Sequence, residues 1–160
     1  MTDSIRRIEV TDNVRMASII RTVMPEFGAG GAGFAIHDDE VDNMFSAYSQ
    51  HRCAYFVCET ENGVVGGGGI AQLQGGNPDT CELKKMYFLP DARGRGFGEQ
   101  LLRHCLAFAS ESGFRHCYLE TFNTMTKAMK LYERMGFKKI SHPMGNTGHF
   151  ACDVFYLKDL

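Results

Sequence analysis

The chain has 160 residues, 44% of them apolar and 22% charged, with a formal net charge of −2. That length suits one ordinary domain over residues 1–160, able to bury roughly two-thirds of the surface that its unfolded form exposes. The weak charge gives no electrostatic footprint for DNA or RNA, and every apolar run falls far short of the roughly 18 residues that span a bilayer. A soluble, cytoplasmic protein is expected, because MTDSIRRIEV also lacks the apolar core and cleavage site of a secretory signal. The six cysteines are irregularly spaced and form no CxxC, which predicts reduced, mostly buried thiols.

Along the chain, Ile5 to Val10 reads as a short strand. Val14, Ile19 and Val23 then mark a helical stripe in TDNVRMASIIRTVM, with Thr11 or Asp12 as cap and Pro25 beyond its end. A glycine-rich loop, EFGAGGAGFAIHDDE, leads to a predicted helix over residues 38–48, in which Val41, Met44, Phe45 and Tyr48 share a face and the first turn is acidic. From Cys53 the period shortens, and CAYFVCET, the turn ENG and VVGGGGIAQLQ predict a hairpin. The strand TCELKKMYFL follows, then RGRGFG opening a helix, the strand HCYLETF, a helix over residues 125–135 ended by Gly136, and short strands in FKKI and CDVFYLK. This order predicts an α/β (α+β) fold: a mixed, mostly antiparallel sheet of six or seven strands flanked by about four helices.

Two glycine patterns invite a phosphate. Gly28, Gly30 and Gly33 spell GxGxxG, but a helix ended by Pro25 precedes them where a dinucleotide site needs a strand. RGRGFG does follow a strand and does open a helix, whose buried face is marked by Phe97, Leu101, Leu102, Cys105, Phe108 and Ala109. The first N–H groups of a helix lack intrahelical partners and carry the positive end of its dipole. Gly94, Gly96 and Gly98 leave those amides uncovered, and Arg93 and Arg95 add charge, so the segment reads as a pyrophosphate cradle. A plain turn, with arginines for solubility, would need the same residues.

These residues resemble the GNAT superfamily of N-acetyltransferases, whose signature Q/R-x-x-G-x-G/A is filled by Arg93, Gly96 and Gly98. KAMKLYERMGFKK is similar to the family's other recurring segment at Ala128, Leu131, Tyr132, Gly136 and Phe137. The resemblance implies a splayed sheet with acetyl-coenzyme A (acetyl-CoA) in the gap as donor. Its pyrophosphate would lie on Arg93, Gly94, Arg95, Gly96, Phe97 and Gly98, and its pantetheine arm would pair with the backbone of Met86, Tyr87 and Phe88. It further implies Tyr132 as the acid that protonates the departing thiolate, at the cofactor, and Glu82 or Glu120 as the base that deprotonates the amine. An asparagine common in the family falls here on Met125, and Asn123 is the candidate substitute.

The implied reaction is direct acetyl transfer to the primary amine of a small molecule or peptide, without a covalent enzyme intermediate. The rival is a non-catalytic acyl-CoA-binding sensor or partner module. The acceptor is expected between residues 28–39, the glycines at 66–69 and the loop SHPMGNTGHF. Cys81 and Cys117 lack a paired histidine and read as core, and His142, His149 and Cys152 lack zinc-like spacing, so no metal is expected. The sequence leaves the acceptor open, and with it the choice between monomer and homodimer.

Overall fold

Residues 3–160 are described by a computed structural model. Seven strands build the sheet: β1 (Ser4–Arg7), β2 (Ala54–Thr60), β3 (Gly63–Gln72), β4 (Thr80–Phe88), β5 (His116–Thr121), β6 (Lys138–Ile140) and β7 (Val154–Asp159). They lie in the order β1-β2-β3-β4-β5-β7-β6, and every neighbouring pair is antiparallel except β4 with β5. Helices α1 (Asn13–Glu26), α2 (Met44–Ala47), α3 (Phe97–Glu111) and α4 (Thr126–Arg134) cover the two faces.

Strand alternation sorts the core into two layers. Ala54, Phe56 and Cys58 of β2 face the layer of α3 and α4, with Leu101, Leu102 and Cys105. Tyr55 and Val57 face the layer of α1 and α2, with Met16, Ile19, Ile20, Val23 and Met44. Because α3 is the crossover from β4 to β5, its burial fixes those two strands as parallel neighbours.

Three expectations need correction. The first strand stops at Arg7, since the Asp12 carboxylate binds Arg6 (2.8 Å) and the Glu9 amide (2.8 Å) and so bends the chain into a 3-10 turn. Helix α1 keeps Pro25 in its last turn, where the missing N–H forfeits one backbone bond only; Val14 is exposed, and no side chain caps the start. The helix predicted over residues 38–48 breaks into a 3-10 turn (Asp39–Asp42) and the short α2, because Asp38 and Glu40 are drawn to Lys84, Lys85 and His149 instead of lining a helix start. Val41, Met44 and Tyr48 are still buried, and Phe45 is not.

The four glycines at 66–69 serve both a bulge and a close approach. Opposite them β4 carries one extra residue, where Lys85 takes the left-handed φ of 50°. A side chain at Gly66 or Gly67 would collide with Phe88 or Tyr55. Tyr55 reaches across to donate its hydroxyl to the Lys85 carbonyl at 2.6 Å, which holds the bulge. All six cysteines are free thiols, and Cys58, Cys81, Cys105 and Cys117 are buried.

Candidate active site

Strands β4 and β5 pair only through residues 80–82 and 116–118, then part company while β4 runs on to Phe88. The gap holds a cavity of about 340 Å³. Met86, Tyr87 and Phe88 form one wall, Arg93, Gly94, Gly96, Phe97 and Gly98 its end, and Met125, Leu131 and Tyr132 the other wall. Every residue expected at the cofactor lines this slot except Arg95 and Asn123. Arg95 turns outward to Asp3 (2.8 Å), and Asn123 is exposed, with its amide on Asp153 (3.1 Å).

At the slot's end, Gly94 and Gly96 adopt φ of 74° and 84°, which only glycine enters without strain. The Gly96 carbonyl accepts the Gln100 amide and starts α3, while the N–H groups of residues 94–98 have no acceptor among the described residues. A Cβ on Gly94 would meet nothing within 4 Å, and one on Gly96 only Gln100 Nε2 at 3.8 Å. Unpartnered amides at an uncovered helix start are the raw material of an anion site. The arginines are less free than the sequence implies. Arg93 binds the Phe88 carbonyl (3.0 and 2.9 Å) and Glu26 (2.5 Å), so it braces the turn between β4 and α3 as well as adding charge.

Tyr132 projects from α4 and packs its ring against Phe137 and Tyr156. Its hydroxyl has no protein partner among the described residues, where no fully buried side-chain polar atom is left unpaired, so it borders the slot. Burial pushes the phenol above its ordinary pKa and keeps it protonated.

On the other side of Tyr87, the structure brings both candidate bases together and separates their chemistry. Glu82 of β4 is 5% exposed and its carboxylate accepts no hydrogen bond among the described residues; it opens into a recess of about 30 Å³ and an outer cleft of about 550 Å³. Burial, only partly offset by the nearby Lys84, raises its pKa to about 7. Glu120 of β5 accepts from Tyr118 (2.7 Å) and Thr147 (2.5 Å) and faces His149 Nδ1 at 3.4 Å. Burial opposes its charge, but those three donors outweigh burial and hold its pKa below the ordinary value.

His149 was invisible as a site residue, since its sequence neighbours offer only a failed zinc pattern. Its partners come from strand β5 and from the loop before α2: Nε2 reaches Asp38 at 2.9 Å while Nδ1 faces Glu120. Burial works against the imidazolium, yet the hydrogen bonds to Asp38 and Glu120 prevail and raise its pKa to about 9. Asp38 in turn falls to about 2, with burial overcome by His149 and Lys85. Donor atoms of Glu82, Glu120 and His149 lie within 4.8 Å of one another, as metal ligands would. Both His149 nitrogens are already committed to carboxylates, an arrangement that fits a proton on the ring.

A splayed sheet with an uncovered helix start at one end of the gap and an unpaired carboxylate beside it suits an enzyme that transfers a group from a phosphate-bearing carrier. The chain belongs to the acetyltransferase (GNAT) family, whose model matches residues 16–137; it is an acetyltransferase, and the family's common chemistry is acetyl-CoA-dependent acetylation. It is 44% identical to an uncharacterised N-acetyltransferase of Escherichia coli, YjgM, over 97% of this chain and 93% of that one. Human N-acetyltransferase 8B is 32% identical over 66% of this chain and 47% of its own. A GNAT-family acetyltransferase from Staphylococcus aureus shares the fold with a TM-score of 0.86, at 20% identity and 99% coverage of both chains. So does a phosphinothricin acetyltransferase from Sinorhizobium meliloti, solved in complex with acetyl-CoA, with a TM-score of 0.77 at 21% identity over 100% of this chain and 89% of that one.

Proposed function

We propose that the protein acetylates a primary amine, of a small molecule or peptide, by direct attack on acetyl-CoA in a ternary complex. The observation that carries this reading is the buried, unpartnered Glu82 beside the splay, with its pKa raised to about 7. An alkylammonium of pKa near 10 must lose a proton before its nitrogen can attack. Glu82 takes that proton; the freed lone pair forms the N–C bond to the thioester carbonyl, the C–S bond breaks with its electron pair leaving on sulfur, Tyr132 protonates the thiolate, and the second proton shed by the new amide nitrogen passes through solvent to restore the tyrosine.

Glu120 is the weaker base, because its oxygens are already occupied and its charge is stabilised. Backbone groups of Met86, Tyr87 and Phe88 serve the pantetheine arm and the oxyanion, and the amides of residues 94–98 serve the pyrophosphate. Asn123 receives no role. An enzyme uses Glu82 in this way, whereas a sensor module has no use for an unpaired base.

The loop assignment is tested by Gly96→Val. The branched side chain is strained at φ of 84° and would occupy the open space over the amides, so acetyl-CoA affinity in calorimetry should fall at least about tenfold while the thermal melt stays cooperative. Unchanged affinity would remove the cradle. Thiol release on adding amines to the wild type tests the reaction itself.

A further inference from the structure

The cleft above Glu82 carries a charge pattern that selects among amines, an inference that rests on the proposed function. Around the recess and outer cleft stand Asp38, Asp39, Glu40, Glu82 and Glu120 against Lys84, Lys85 and His149, with His37 also at the rim, its Nε2 on the Gly30 carbonyl at 3.0 Å. Five carboxylates facing three cations leave two negative charges when Glu82 is ionised. Each cation is already matched: Lys84 by Glu40 at 3.0 Å, Lys85 by Asp38 at 2.6 Å with its side chain 1% exposed, and His149 by Asp38 and Glu120. Two carboxylates have no ion-pair partner among the described residues, the buried Glu82 and the exposed Asp39 at the rim.

Shape narrows the choice further. The recess at Glu82, backed by Met24, Phe122 and Cys152, has room for roughly one ammonium-sized group. A primary amine on an unbranched carbon enters it; a substituted nitrogen does not. The outer cleft is polar, with Gln72, Gln74 and Thr147 around Asp39. A carboxylate or phosphate on the acceptor would meet unmatched negative charge there and no free cation among the described residues.

We infer that the acceptor is a linear aliphatic diamine or oligoamine, with one ammonium seated at Glu82 and a second at Asp39, and with no free anionic group. Putrescine, butylamine and γ-aminobutyrate share the aminoalkyl head and differ in the charge of the tail. With acetyl-CoA and thiol release as readout, kcat/KM should fall in that order, with at least about tenfold between the first and the last. Asp39→Asn should narrow the advantage of putrescine over butylamine about threefold, the size of one exposed ion pair.

If γ-aminobutyrate is the best acceptor, or if Asp39→Asn leaves the putrescine-to-butylamine ratio unchanged, the inference falls and the acetyltransfer reading stands. If no amine in the series is acetylated while calorimetry shows acetyl-CoA bound, the inference falls; if a panel extended to peptide amines is inert as well, the acetyltransfer reading falls with it.

Discussion

Glu82 and Glu120 are the same residue type on adjacent strands, and their different prospects come entirely from neighbours. Glu120 has three donors supplied by Tyr118, Thr147 and His149; Glu82 has none among the described residues. The sequence could nominate both but not choose, because Thr147 and His149 lie more than twenty positions away and reach Glu120 only through tertiary structure. Glu82→Gln should lower kcat by at least about a hundredfold, as loss of a general base does, with acetyl-CoA affinity retained; a kcat within tenfold of wild type would reject the assignment. The substitution also has a stability signature. A carboxyl whose folded pKa is raised contributes stability below its ordinary pKa, and that contribution is lost as pH rises through about 7. Gln cannot ionise, so the variant should melt higher than wild type at about pH 8 and gain little at about pH 4.

Among elements, those with a strong apolar period were legible. The α3 stripe, the α4 stripe closed by Gly136 and the hairpin of β2 and β3 all formed where the pattern placed them. The segment at residues 38–48 failed for a reason no local pattern contains, since its acidic residues answer lysines on β4. The loop over residues 141–153 had no periodic signal either, yet it is tied down along its length: Met144 N–H to the Tyr118 hydroxyl (3.1 Å), Asn146 N–H to the Gln74 carbonyl (2.7 Å), Thr147 to Glu120, and Ala151 N–H to the Gly33 carbonyl (3.1 Å). The imidazolium of His149 joins this loop to both Asp38 and Glu120. A histidine whose folded pKa is raised contributes fully below its ordinary value near 6.5 and loses the contribution as pH rises through about 9. The profile of kcat/KM against pH should therefore climb near 7 as Glu82 ionises and decline near 9 as the clamp discharges. His149→Gln should remove the step near 9 and, by taking a cation away from Glu82, move the limb near 7 to higher pH. Since the acceptor titrates identically in both proteins, an unchanged alkaline limb in the variant would show that His149 plays no part.

At the scale of the molecule, the sequence carried the order of strands and helices, and with it the crossover that sets β4 beside β5. How soon those strands separate was not readable from composition or period; the separation begins just before the bulge at Lys85, which Tyr55 holds by its carbonyl and the glycines of β3 leave room for. The family resemblance implied that feature, and the structure shows where along β4 it begins. The same scale governs selectivity, since the unmatched charge of the cleft is a sum over loops and strands that no single motif displays.

The short seam between β4 and β5 has one more consequence. Sheet edges normally lie at a protein's periphery, where charge or bulges guard them from pairing with a stranger. Here two edges face each other inside the molecule, and beyond Glu82 no backbone pairing among the described residues zips them. Amide protons of β4 that point into this seam should exchange quickly with deuterium in the empty enzyme and slow down when acetyl-CoA is added, while those of β2, paired on both sides, should not respond. Deuterium uptake unaltered by acetyl-CoA across residues 83–88 would mean that the carrier does not complete the sheet.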